Sequence, residues 1–169
     1  MNNIILIGMP GSGKSTVGVI LAKILGYDFI DTDLLIQKRQ KARLSEIIEK
    51  EGSAGFLAVE NEVCRTLIAD HCVIATGGSV IYGTEAMQNL KSLGKIVYLE
   101  VSYKNLEQRL HDIRTRGVVL PKGESLFDLY RERTALYEQY ADIIIFEGNS
   151  TLEETVQLTA EKCRDIRIH

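Results

Sequence analysis

Gly8-Met9-Pro10-Gly11-Ser12-Gly13-Lys14-Ser15 is the stretch that decides the fold of this chain. It satisfies G-x-x-x-x-G-K-[ST], and it stands between an apolar run, Ile4 to Ile7, and a segment of helical spacing, Val17, Ile20, Leu21, Ile24 and Leu25. A strand running into a glycine-rich turn and then a helix is the context this motif needs. The glycines let the backbone curl so that its N–H groups point inward at phosphate oxygens, and the helix presents its unpaired first amides to the same anion. Gly11, Ser12 and Gly13 form the cradle, and Lys14 adds a mobile positive charge. Ser15 offers a hydroxyl to a Mg²⁺ bridging the β- and γ-phosphates, and Thr16, one step round the helix, is placed for the α-phosphate. ATP and Mg²⁺ are therefore the expected ligands.

Outward from this loop, short β-branched runs alternate with helical segments, the pattern of βα units around a parallel sheet. Ile4 to Ile7, Val73 to Ala75, Ile96 to Leu99 and Ile143 to Phe146 read as strands buried on both faces, with Asp28 to Ile30 as a fifth. Leu126, Leu129, Tyr130, Thr134 and Tyr137 repeat at helical spacing, and this face and that of Val17, Ile20, Leu21, Ile24 and Leu25 are expected to pack on the sheet; Thr151 to Arg164 reads as a last helix over the sheet's edge, capped by Ser or Thr with two glutamates in its first turn. Two regions break the rhythm: a helix-rich insert from about 34 to 69 and a polar stretch, 112–124, holding Gly117, Pro121 and Gly123. They are expected to be a substrate-binding cap and a mobile lid on a single domain spanning 1–169.

Composition narrows the function. A net charge of -3 carries no basic field for nucleic acid, and Ile4 to Ile7 is too short for a signal peptide or membrane span, so a cytoplasmic protein is expected. Cys64, Cys72 and Cys163 lack metal-ligand spacing and read as buried, reduced thiols.

Asp31 and Asp33 follow the second strand and so reach the carboxyl edge of the sheet, where open α/β sheets bind ligands. One of them suits a water-bridged Mg²⁺ and the other suits a base that accepts the proton of an attacking hydroxyl; helix capping is the structural alternative for either. Thr76-Gly77-Gly78-Ser79 follows another buried strand, and its paired glycines allow close backbone approach to a ligand. Arginines fall in and around the polar stretch. Arg116 is the one placed to meet the charge that spreads over the equatorial oxygens during phosphoryl transfer.

Taken together these residues resemble shikimate kinase, of the nucleoside monophosphate kinase-like group of P-loop proteins. The resemblance spans nearly the whole chain: the loop GMPGSGKS, Asp31 and Asp33, Leu44-Ser45-Glu46-Ile47-Ile48 leading to Glu51-Gly52 and Phe56, then TGGS, a lid arginine, and Arg133-Thr134-Ala135-Leu136-Tyr137. It implies an α/β P-loop NTPase fold of three layers, with a five-stranded parallel sheet in the order 2-3-1-4-5, and a monomer acting on a small molecule. It also implies transfer from ATP to shikimate, giving shikimate 3-phosphate for aromatic amino-acid biosynthesis. On that pattern Ser15 and Asp31 attend Mg²⁺, Asp33 binds and activates the substrate hydroxyl, Arg109 stacks on adenine, Arg116 is the lid residue and Arg133 pairs with the substrate carboxylate. Three positions depart from it. Leu57 replaces an arginine that grips the carboxylate, Ser79 replaces the third glycine of Gly77-Gly78-Gly so that a side chain enters the substrate's place, and Arg116-Gly117-Val118-Val119 replaces arginine-proline-leucine-leucine. Leu57 keeps open a kinase of the same architecture for another small alcohol or hydroxyacid, and, from a different class, a nucleotide-sensing module without transfer.

Overall fold

Five parallel strands form one sheet in the order β2-β3-β1-β4-β5, from Asn3–Ile7 (β1), Asp28–Asp31 (β2), Cys72–Ala75 (β3), Gly94–Glu100 (β4) and Ile143–Phe146 (β5). The computed structural model describes residues 2–113 and 125–164. The helices are Lys14–Leu25 (α1), Thr32–Gln40 (α2), Leu44–Arg65 (α3), Thr84–Leu93 (α4), Tyr103–Ile113 (α5), Leu126–Tyr140 (α6) and Leu152–Arg164 (α7), with a 3₁₀ turn at Val80–Tyr82 and a kink in α3 at Gly52. Among the described residues no helix is long and apolar enough to cross a membrane.

Period-two alternation splits the sheet's side chains between two cores. Ile5, Ile7, Ile74, Ile96 and Tyr98 point to the side of α4, α5 and α6, where Met87, Leu90, Leu106, Leu110 and Tyr137 cover them. Ile4, Leu6, Val73, Val97, Leu99 and Ile145 point the other way, against Val17, Leu21 and Ala22 of α1 and Val156, Ala160 and Cys163 of α7. A third, smaller cluster of Ile36, Ile47 and Val63 ties α2 to α3. The architecture is thus three layers, helices on both faces of a parallel sheet, with α2 and α3 as the insert.

Two expectations are corrected here. Ile20 and Ile24 lie on the open side of α1, 37% and 45% exposed, because Val17, Gly18, Leu21 and Ala22 occupy the arc that meets the sheet and the two isoleucines fall at its far side. Strand β5 is not buried on both faces: Ile144 and Phe146 are exposed because the strand is an edge, paired among the described residues with β4 alone, and α7 covers one face. The three cysteines are buried thiols outside any disulfide, as expected.

The sheet order sets the site. Strand β1 lies between β3 and β4, so the chain leaves it at the point where successive crossovers turn to opposite sides, and the loop 8–13 opens there. The ends of β3 and β2 lie successively beside it.

Candidate active site

Gly8 begins the loop with φ 148°, and a Cβ there would stand 2.7 Å from Leu99 O, so only glycine lets the chain turn off the sheet so tightly. Gly13, also left-handed, is the residue before α1. Lys14 then folds back over the loop. Its Nζ donates to Gly8 O and Met9 O, each at 2.8 Å, and to Ser12 Oγ at 3.4 Å. The expected mobile charge is therefore a buried one, tethered to the loop that it serves. Desolvation lowers its pKa to about 8, against the pull of Asp33, Asp31 and Glu60 in the opposite direction.

Asp31 does two jobs. Its Oδ1 accepts from the backbone N–H groups of Asp33 (2.9 Å) and Leu34 (3.4 Å), and its Oδ2 accepts from Ser15 Oγ at 2.7 Å. The capping alternative and the metal-site reading thus fall on one carboxylate. Helix α2 accordingly starts at Thr32 rather than near Leu34, with Asp33 in its first turn. Burial first, then the charge of Asp31, raises the Asp33 pKa, with Lys14 opposing.

The turn after β3 closes on this group. Thr76 donates to Leu6 O through its hydroxyl at 3.0 Å, and Gly77 N–H donates to the buried Thr32 Oγ1 at 3.2 Å, which locks the turn to β1 and to α2. A Cβ on Gly77 would collide with Glu60 Oε1 and stand 3.0 Å from Asp33 Oδ1, so the missing side chain is what lets two carboxylates meet above the turn. A Cβ on Gly78 would meet Pro10 Cδ at 2.7 Å and Arg133 Nη1 at 3.2 Å. The Ser79 hydroxyl donates to Glu60 Oε2 at 2.5 Å.

Glu60 is the residue that the sequence reading missed. It is 1% exposed, its Oε1 has no hydrogen-bond partner, and desolvation pushes its pKa up to about 7. The available signal was its place on the apolar stripe of α3, beside Val63 and Cys64, where a carboxylate needs a reason to be. Tyr137, read only as core, also serves here by donating to Gly78 O at 2.5 Å.

Arg133 reaches the same place from α6 and is 8% exposed. It forms no ion pair with the described residues, and its Nε has no hydrogen-bond partner. Lys14, Asp33, Glu60 and Arg133, one from each of α1, α2, α3 and α6, are thus electrostatically coupled around Gly77 and Gly78. Leu57 lies farther out, lining with Ala58, Asn61, Tyr82 and Glu85 a cavity of about 320 Å³. Arg109 stands at the rim of the loop, ion-paired with Glu147 and donating to Gly11 O at 3.4 Å. Ser15 and Thr16 are exposed at the start of α1. Arg116, with nearly all of the polar stretch 112–124, lies outside the described residues.

Residues 10–164 match the family model for shikimate kinase. The shikimate kinase of Nitrosomonas europaea is 39% identical over 166 residues, covering 96% of this chain and 78% of the relative, and that of Clostridium botulinum is 38% identical over 158 residues, covering 92% and 93%. A solved structure of shikimate kinase from Acinetobacter baumannii in complex with shikimate superposes with a TM-score of 0.90 at 31% identity, covering 100% of this chain and 96% of that one.

Proposed function

The chain belongs to the shikimate kinase family, and from that premise we propose that it transfers the γ-phosphoryl group of ATP to a hydroxyl of shikimate. The observation that carries the choice of an acid as acceptor is Arg133: a buried guanidinium without an ion-pair partner among the described residues, next to the phosphate loop, calls for an anionic ligand. Asp33, raised in basicity and within the field of Lys14, is the base beside it. In the step, the acceptor oxygen bonds to the γ-phosphorus, the bond from that phosphorus to the β,γ-bridging oxygen breaks, ADP departs, and the hydroxyl proton goes to Asp33. Lys14 and the N–H groups of Gly11, Ser12, Gly13 and Ser15 hold the phosphates, with Thr16 at the α-phosphate and Arg109 at the adenine. Arg116 supplies further charge from the lid, Gly77, Gly78 and Ser79 floor the acceptor site, and Leu57 walls it.

The Ser15 hydroxyl and the Asp31 carboxylate, 2.7 Å apart, are hard oxygen donors that fit Mg²⁺. Among the described residues no three His, Cys, Asp or Glu side chains gather as a metal cage, which suits an ion that arrives with the nucleotide and keeps most of its waters. Bound there, Mg²⁺ would neutralise charge on the β- and γ-oxygens. The same reading makes the protein a cytoplasmic monomer that acts on small molecules alone.

The test is ADP release coupled to shikimate, in the wild type and in Leu57→Arg. An added guanidinium facing the acceptor's carboxylate should lower the shikimate KM about tenfold. A kinase for an uncharged alcohol would instead lose activity with the arginine, since an unpaired charge then stands where apolar contact was wanted. Absence of shikimate turnover in both proteins refutes the proposal.

A further inference from the structure

A guanidinium serves an arriving carboxylate best when its fork is aimed beforehand and its N–H donors are still free. A carboxylate partner within the protein would aim Arg133 but would also occupy the fork, whereas an aromatic face holds the plane of the cation and leaves its edge open. Arg133 lies against such a face and keeps an unpartnered Nε, with the Tyr82 and Tyr137 hydroxyls also near its guanidinium. Its Cζ lies 5.5 Å from the centroid of the Tyr82 ring. That ring is fixed at both ends of its side chain: the backbone closes the 3₁₀ turn Val80–Tyr82 that follows Gly77-Gly78-Ser79, and the hydroxyl donates to Glu132 Oε1, the residue preceding Arg133 on α6, at 2.6 Å. Tyr82 therefore bridges the floor of the acceptor site and the helix that carries its cation. It is 37% exposed, at the edge of the cavity that Leu57 lines, so its ring is not needed to fill the core.

We propose that Tyr82 is a positioning residue for the acceptor's carboxylate, its ring face holding the Arg133 guanidinium in the orientation in which it meets the acid beside Gly78. This rests on the reading that Arg133 receives that carboxylate. It assigns the aromatic face, and not the hydroxyl, the larger share of the effect. The hydroxyl, bonded to Glu132 and near the guanidinium, takes the smaller share.

The test compares wild type with Tyr82→Leu, Tyr82→Gln and Tyr82→Phe, varying shikimate at saturating ATP, with melting curves to confirm the fold. Leucine and glutamine remove the π face, and each should raise the shikimate KM about tenfold while kcat and the ATP KM stay within about twofold. Phenylalanine keeps the face and should remain within about threefold of wild type. Should the leucine variant fail to fold, glutamine carries the same expectation. An unchanged shikimate KM in the leucine or glutamine variant overturns the proposal, as does a loss confined to kcat, or a phenylalanine variant as poor as leucine. Wild-type turnover with a KM indifferent to Tyr82 sinks this inference alone, while no wild-type turnover of shikimate sinks both it and the function it rests on.

Discussion

Lys14→Met should lower turnover by about 10³-fold or more while the protein still folds. The ammonium is the only cation that the phosphate loop itself supplies, and its three bonds to Gly8 O, Met9 O and Ser12 Oγ aim it over the site. A charge held there before the nucleotide arrives needs no reorganisation when negative charge grows on the γ-phosphoryl oxygens, which is why its removal should fall mainly on kcat. Stability should respond differently. Burial already disfavours the charged form, so an apolar chain of similar length relieves desolvation even as it takes one donor away from each of two carbonyls, and the opposed changes keep Tm within about 5 °C. Turnover assays paired with thermal melts separate the two effects. Near wild-type kcat would remove Lys14 from the proposed chemistry, and loss of folded protein would make its role structural.

Glu60→Gln should stabilise the ligand-free protein at pH 8 by about 3 kcal/mol and far less at pH 5. The folded chain holds the Glu60 proton up to about pH 7, whereas an unfolded chain releases it near 4.5. The native state therefore binds more protons than the unfolded state between those values, and stability is lost as pH rises through that window, reaching its full deficit above about 7. Glutamine keeps an oxygen for the Ser79 hydroxyl and cannot ionise, so the variant escapes the loss. In a chain of this size the gain corresponds to about 6 to 12 °C in Tm at pH 8. Melting curves at the two pH values check it: a Tm difference independent of pH would mean that Glu60 does not change protonation on folding.

A proline-free helix after GMPGSGKS and continuous β-branched runs were enough to place the phosphate loop, five strands and the helical insert, because these are local patterns. Asp31, Asp33, Gly77, Gly78 and Arg133 were legible as candidates for a related reason: each follows a strand or belongs to a motif read in order along the chain. Other features needed the folded molecule. That β5 is an exposed edge depends on strand order, which pairing with distant segments decides. Which face of α1 is buried depends on where the sheet lies, and the apolar residues at Ile20 and Ile24 misled a reading by period alone. Glu60 carries no motif. Its raised pKa comes from burial first and from the charge of Asp33, against the opposing pull of Ser79, Arg133 and Lys14, and all of these groups are brought to it only by the packing of α1, α2, α3 and α6 over the sheet. The same holds for Tyr82 against Arg133, 51 positions apart in the chain and in contact through space. Short-range chemistry, the curl of a glycine loop or the spacing of an apolar face, is written into neighbouring residues. Desolvation and charge coupling are sums over whatever tertiary structure assembles around a group, and they were decided there.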